Sequence, residues 1–177
     1  MDKLEKLFTD LDYLSECASD IELTDYKKII RSERIASQDS SEQGAYFCAV
    51  PKMNFKCIGD AFPFLFIHDL YDSQEWKKDK PPFNNFDKNE WKNLLRTIWI
   101  PECLSLRQER HNIEYKIVTV NEFYNDWLPI AKQISISAIR SPIRQIIRYG
   151  SIDAWNFSNY LLETKTEYID FQFWTTA

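Results

Sequence analysis

The groups in this chain that could do chemistry are few and scattered. There are two histidines, His68 and His111, and four cysteines, Cys17, Cys48, Cys57 and Cys103. His68-Asp69, with Asp72 close behind, has the ligand types of a hydrolytic metal site, but such sites need further histidines upstream and none precedes His68. Cys57 and His68 lack zinc-ligand spacing, and there is no C-x-x-C. A nucleophilic cysteine needs a base that meets it in space. Cys103 and His111 are the only near pair, and their spacing matches no known constraint, so Cys103 reads as structural. With three glycines in all, a G-x-G-x-x-G loop and a P-loop are excluded, because the phosphate-cradling backbone needs them. The expectation is no catalytic residue, no metal and no cofactor.

The organised groups are acids. Residues 1–25 hold Asp2, Glu5, Asp10, Asp12, Glu16, Asp20, Glu22 and Asp25 against Lys3 and Lys6, a balance of −6 in a chain of net charge −5. Everything after residue 25 therefore sums to +1. Such a field disfavours nucleic acid and favours a basic protein partner. Asp10 and Asp12 could serve acid–base work, but they lie on an exposed helix beside no recognisable apolar pocket. Arg140, Arg144 and Arg148 recur four apart, with Lys132 nearby, and on one continuous helix would suit phosphate. Ser141-Pro142 takes Arg140 out of that line, and the stripe reads as a solvated or ion-paired face.

The elements that must position these groups follow from periodicity. Over residues 3–18, Leu4, Leu7, Phe8, Leu11, Leu14 and Ala18 share one face of a helix. Glu5, Asp12 and Glu16 form an adjoining stripe, Asp20 and Glu22 lie just beyond, and Tyr13 points away from the apolar face. Glu5, Asp12, Tyr13, Glu16, Asp20 and Glu22 are therefore the candidate partner-binding residues. Thr24 caps a second helix, so residues 1–36 read as acidic N-terminal helices. Residues 45–50 and 54–58 read as short strands around Pro51. Residues 62–70 could be strand or helical turn, and residues 72–89 a long loop. A helix over residues 88–100 ends at Pro101. Residues 113–120 read as a strand, followed by helices over residues 121–150, with Ser141-Pro142 as an internal start, and a last helix carrying Trp155, Phe157, Tyr160 and Leu161. Ile169, Phe171 and Phe173 alternate with polar residues, as in a strand with one buried face. The expected fold is α+β, predominantly helical, a single globular domain over residues 1–177 with a small β-sheet. The apolar run 113–150 is the block around which the rest should pack.

The N-terminus has no basic and apolar leader, no apolar run approaches the roughly 20 residues of a membrane span, and the cysteines suit a reducing compartment. A cytoplasmic protein with no membrane contact is expected. In size, acidity, glycine poverty and lack of a catalytic motif, the chain resembles, as a class, bacterial immunity proteins of polymorphic or contact-dependent growth-inhibition toxins. The resemblance rests on no signature motif, and no residue role transfers from it. It implies a protein that binds a cognate toxin domain, a basic nuclease, and blocks its active site. A phage-encoded inhibitor of host defence has the same outline. The alternative class is a small intracellular hydrolase built on cysteine or His-Asp without a recognisable motif.

Overall fold

The computed structural model describes residues 2–21, 25, 28–29, 31–36, 43–72, 87–104, 112–126, 139–154 and 156–175. The first amphipathic stretch is two helices rather than one, α1 (Lys3–Thr9) and α2 (Leu11–Ser19). Asp10 causes the break. It leaves helical geometry at φ −134° and turns its carboxylate onto the Tyr13 N–H at 3.0 Å, which makes it the N-cap of α2. Leu4, Leu7, Phe8, Leu11, Leu14 and Ala18 are buried together, as their spacing predicts.

Strand β1 (Arg31–Ala36) and strand β2 (Gln43–Pro51) follow, then a 3-10 turn at Lys52–Asn54 and helix α3 (Ile58–Asp72). Gly59 lets α1 and α3 approach closely, since a Cβ there would lie 2.8 Å from the Leu4 backbone nitrogen. Helix α4 (Lys88–Leu94) opens with a capping box between Asp87 and Glu90. It widens into a π turn at Leu95–Trp99 and continues as α5 (Ile100–Cys103). Pro101 therefore does not stop the helix. It falls in the first turn of α5, where a missing N–H costs little, just after a turn wide enough to relieve its ring. Strand β3 (Glu114–Ile117) precedes helix α6, residues 120–126. The chain ends with β4 (Ile143–Gly150), β5 (Phe157–Thr164) and β6 (Glu167–Thr175).

The six strands form one antiparallel sheet in the order β1-β2-β6-β5-β4-β3. The expectation of a predominantly helical fold with a small sheet is thus wrong: this is a sheet-rich α+β fold. The centre of the sheet is the β6-β5 pair, not the run 113–150. Three segments account for the error. Residues 31–36 and 157–164 are strands where helices were expected, and so is Ile143–Gly150 after the proline start signal. Ile143, Ile146 and Ile147 fit a helical repeat, yet in β4 Ile146 and Ile147 enter different cores on opposite faces. Residues 54–58, expected as a strand, instead turn into α3.

One face of the sheet carries α1 through α5 over Tyr46, Cys48, Val50, Tyr149, Leu161 and Tyr168. Phe8 and Phe62 pack edge to face at 5.1 Å, and Phe62 meets Tyr149 at the same distance and angle class. The opposite face packs Phe47, Ile146, Tyr160, Leu162, Ile169 and Phe171 against Val118 and against Phe123 of α6. Because both faces are covered, Asp170 and Gln172 are buried as well, so β6 lacks the polar outer face its alternation suggests. The cysteines Cys17, Cys48, Cys57 and Cys103 are free; only Cys48 is fully buried. Among the described residues, no helix is long and apolar enough to cross a membrane.

Candidate protein-binding face

Helix α2 sets Asp12, Glu16 and Asp20 in line, because residues four apart stack on one side of a helix. All three carboxylates face outward, with side chains 75, 56 and 55% exposed. They are not free. Arg96 Nε binds Asp12 Oδ1 at 2.8 Å, Lys92 Nζ binds Glu16 Oε2 at 3.2 Å, and Lys88 Nζ binds Asp20. Lys88, Lys92 and Arg96 also recur four apart, so α4 and its π turn lie beside α2 with matching charge spacing. Asp20 raises the pKa of the exposed Lys88 through this hydrogen bond.

Of the other candidates, Glu5 is exposed on α1. Tyr13 does not point away from the core. It is half-buried, packs against the helical cluster, and holds Lys6 Nζ 3.8 Å from its ring centre. The adjacent Cys17, and after it burial, push the Tyr13 phenol up. Burial pushes the Cys17 thiol up in turn, which keeps it protonated and a poor nucleophile. Glu22 lies outside the described residues, as do His111, the side chains of Asp69 and Asp72, Lys132 and all of the expected 72–89 loop except its ends. At the start of α1, Lys3 binds Asp60 at 2.5 Å; that hydrogen bond raises Lys3 and lowers Asp60.

The basic stripe of Arg140, Arg144 and Arg148 dissolves, because Arg144 and Arg148 belong to a strand. Arg148 lies 3.6 Å from Asp126 of α6 and donates to Ser158. Tyr160 donates to the same Asp126.

Sequence reasoning also missed a buried polar row that crosses the sheet beneath α3. The ladder sets Tyr46, Gln172, Asn159 and Tyr149 side by side on four strands. Tyr149 donates to Asp170 Oδ1 at 2.6 Å, and Gln172 donates more weakly to Oδ2 at 3.4 Å. His68 Nδ1 pairs with the Tyr46 hydroxyl, which takes His68 into the core rather than into an open site. The Asn159 carboxamide is 1% exposed, and among the described residues neither of its polar atoms has a hydrogen-bond partner. No three His, Cys, Asp or Glu side chains among the described residues are grouped to hold a metal.

Lys88, Lys92 and Arg96 had a signal in the sequence, a period matching that of Asp12, Glu16 and Asp20. Which helix they would lie beside was not legible.

No protein-family model matches the chain, and no curated protein or solved structure is significantly similar to it.

Proposed function

We propose that this protein is a stoichiometric inhibitor of the immunity-protein kind, which binds a basic toxin domain through the α2 face. The observation that carries the reading is the row of Asp12, Glu16 and Asp20, held outward on a capped helix and already coordinating three cationic side chains. A surface that seats Arg96, Lys92 and Lys88 has the spacing and charge to seat the cations with which a nuclease holds phosphate. Exposed ion pairs are weak, at most about 1 kcal/mol each in typical cases, so a partner can exchange its own cations for them. The exchange also means that steering is weaker than the segment's charge of −6 suggests, because the ladder offsets half of it. Exposed Glu5 on α1 adds negative charge in this reading, and Tyr13 contributes its outer edge rather than a whole ring. Binding within the cytoplasm and without nucleic acid follows from the same assignment.

The test is direct. The polypeptide encoded by the neighbouring upstream gene is expressed alone and together with this protein, and growth is measured. Its purified C-terminal domain is then titrated against RNA and DNA cleavage. Rescue of growth, with inhibition complete at one equivalent, supports the reading. A harmless neighbour, or toxicity that equimolar protein leaves unchanged, overturns it.

A further inference from the structure

We infer that the outer edge of β3 is a second docking site, which takes an extended segment of another protein carrying an acidic residue between two apolar ones. β3 ends the sheet. Lys116 pairs with Arg148, and two residues on Val118 donates its N–H to the Ile146 carbonyl at 3.0 Å. Even-numbered residues therefore bond β4, and the N–H and C=O of Tyr115 and Ile117 point away from the sheet. The next outward N–H, that of Ile113, is taken by the Phe8 carbonyl at 2.7 Å, so α1 closes that end. Among the described residues, the outward groups of Tyr115 and Ile117 meet no hydrogen-bond partner. Along the same edge Tyr115 is 42% exposed and Ile117 69%. Single exposed apolar side chains are ordinary. Exposed apolar side chains on a strand with unpaired backbone are a template for another strand.

Charge decides the occupant. Lys116 lies opposite Arg148, so two cations adjoin on one face, and Arg148 already shares Asp126. The Glu122 carboxylate has its pKa lowered first by its hydrogen bonds from Thr119 and then by Lys116, which stays exposed. A strand arriving antiparallel would bond Tyr115 and Ile117 and set its middle residue opposite Lys116. That is the non-hydrogen-bonded position, where Cα atoms approach to about 4.5 Å and side chains interact most. A carboxylate there complements Lys116, and its apolar neighbours lie on Tyr115 and Ile117. A second copy of this chain does not fit. With the outward groups matched, self-pairing opposes Lys116 to Lys116, brings Ile117 against Ile113, where Phe8 already sits, or sets Tyr115 against Thr119, whose N–H already donates to Glu122.

The site is independent of the acidic row, and its test needs no toxin. Amide hydrogen exchange is followed in isotope-labelled protein with two blocked peptides, Thr-Val-Glu-Val-Thr and Thr-Val-Lys-Val-Thr. The Glu peptide should slow exchange at Tyr115 and Ile117, leave Ile113 unchanged, and bind roughly five-fold tighter than the Lys peptide at low salt. Lys116→Glu, an exposed change, should invert that preference. Ile117→Pro, which removes an outward N–H and no ladder bond, should abolish binding while the melting transition persists. The inference is overturned by exchange at both amides that neither peptide slows. Equal binding of the two peptides to parent and Lys116→Glu also overturns it, as does protection that grows with protein concentration alone.

Discussion

Exchanging the charges between α2 and α4 separates the structural role of the acidic row from its role in recognition. Asp12→Lys with Glu16→Lys turns two attractions, at 2.8 and 3.2 Å, into repulsions against Arg96 and Lys92. At 2.8 Å the bare Coulomb energy runs from about 1.5 kcal/mol in bulk water to about 6 at a near-surface dielectric. With Asp12 and Glu16 side chains 75 and 56% exposed, the water end applies, and measured exposed pairs are worth about 0.2–1 kcal/mol each. Like charges at such spacing cost similar amounts. The double reversal should therefore destabilise the fold by roughly 1–4 kcal/mol at low salt, with the deficit shrinking as salt rises. Adding Lys92→Glu and Arg96→Glu rebuilds both pairs with opposite sign. Urea denaturation of this fourfold variant should return to within about 1 kcal/mol of the parent, the residue being the loss of an acid from the first turn of α2. The refolded ladder now presents cations. If the row is the interface, the fourfold variant melts like the parent and no longer inhibits the toxin. A double reversal as stable as the parent at low salt would show that the ladder does not form. A fourfold variant that still inhibits at one equivalent would remove the row from the interface.

Four further outcomes are expected. Trp91→Ala should cost about 3–5 kcal/mol, since Trp91 is 6% exposed within the helical core; an unchanged melting temperature would show that α4 is not docked there. Trp127, expected from its periodicity to be equally critical, lies outside the described residues. Asn159→Leu should stabilise the protein by about 1 kcal/mol or more, because it removes two buried polar atoms without partners among the described residues; a loss of stability in denaturation would mean that an internal water satisfies the amide. Burial, and then the hydrogen bond to Asp126, raise the Tyr160 pKa, so the folded state keeps a proton that the unfolded chain releases near its ordinary value of 10.0. This contribution is complete below about pH 10 and is lost as pH rises beyond it. Tyr160→Phe should remove that part of the alkaline loss, and identical alkaline slopes in parent and variant would refute the assignment. Elemental analysis after dialysis should find no stoichiometric metal, since the described residues group no ligand set; one tightly held zinc per chain would contradict this.

The parts legible in the sequence are those whose signal is local. The burial of Leu4, Leu7, Phe8, Leu11, Leu14 and Ala18, and the helix around Trp91 and Leu95, follow from a repeat that one helix satisfies by itself. The alternation of Ile169, Phe171 and Phe173 placed the last strand for the same reason. Locality also explains the failures. A strand buried on both faces shows no alternation, so Ile146-Ile147 and Leu161-Leu162 looked helical until neighbours on either side paired with them. Ser141-Pro142 is a sound helix start only where no sheet competes for the residues after it. The candidate site divides in the same way. The sequence determined that Asp12, Glu16 and Asp20 share one helical stripe. Tertiary structure alone decided that Lys92 and Arg96, 76 and 84 residues away, stand opposite and neutralise it. Charge spacing along one helix is written in its own residues, but the identity of the facing helix is fixed only when both bury their apolar sides against the same sheet.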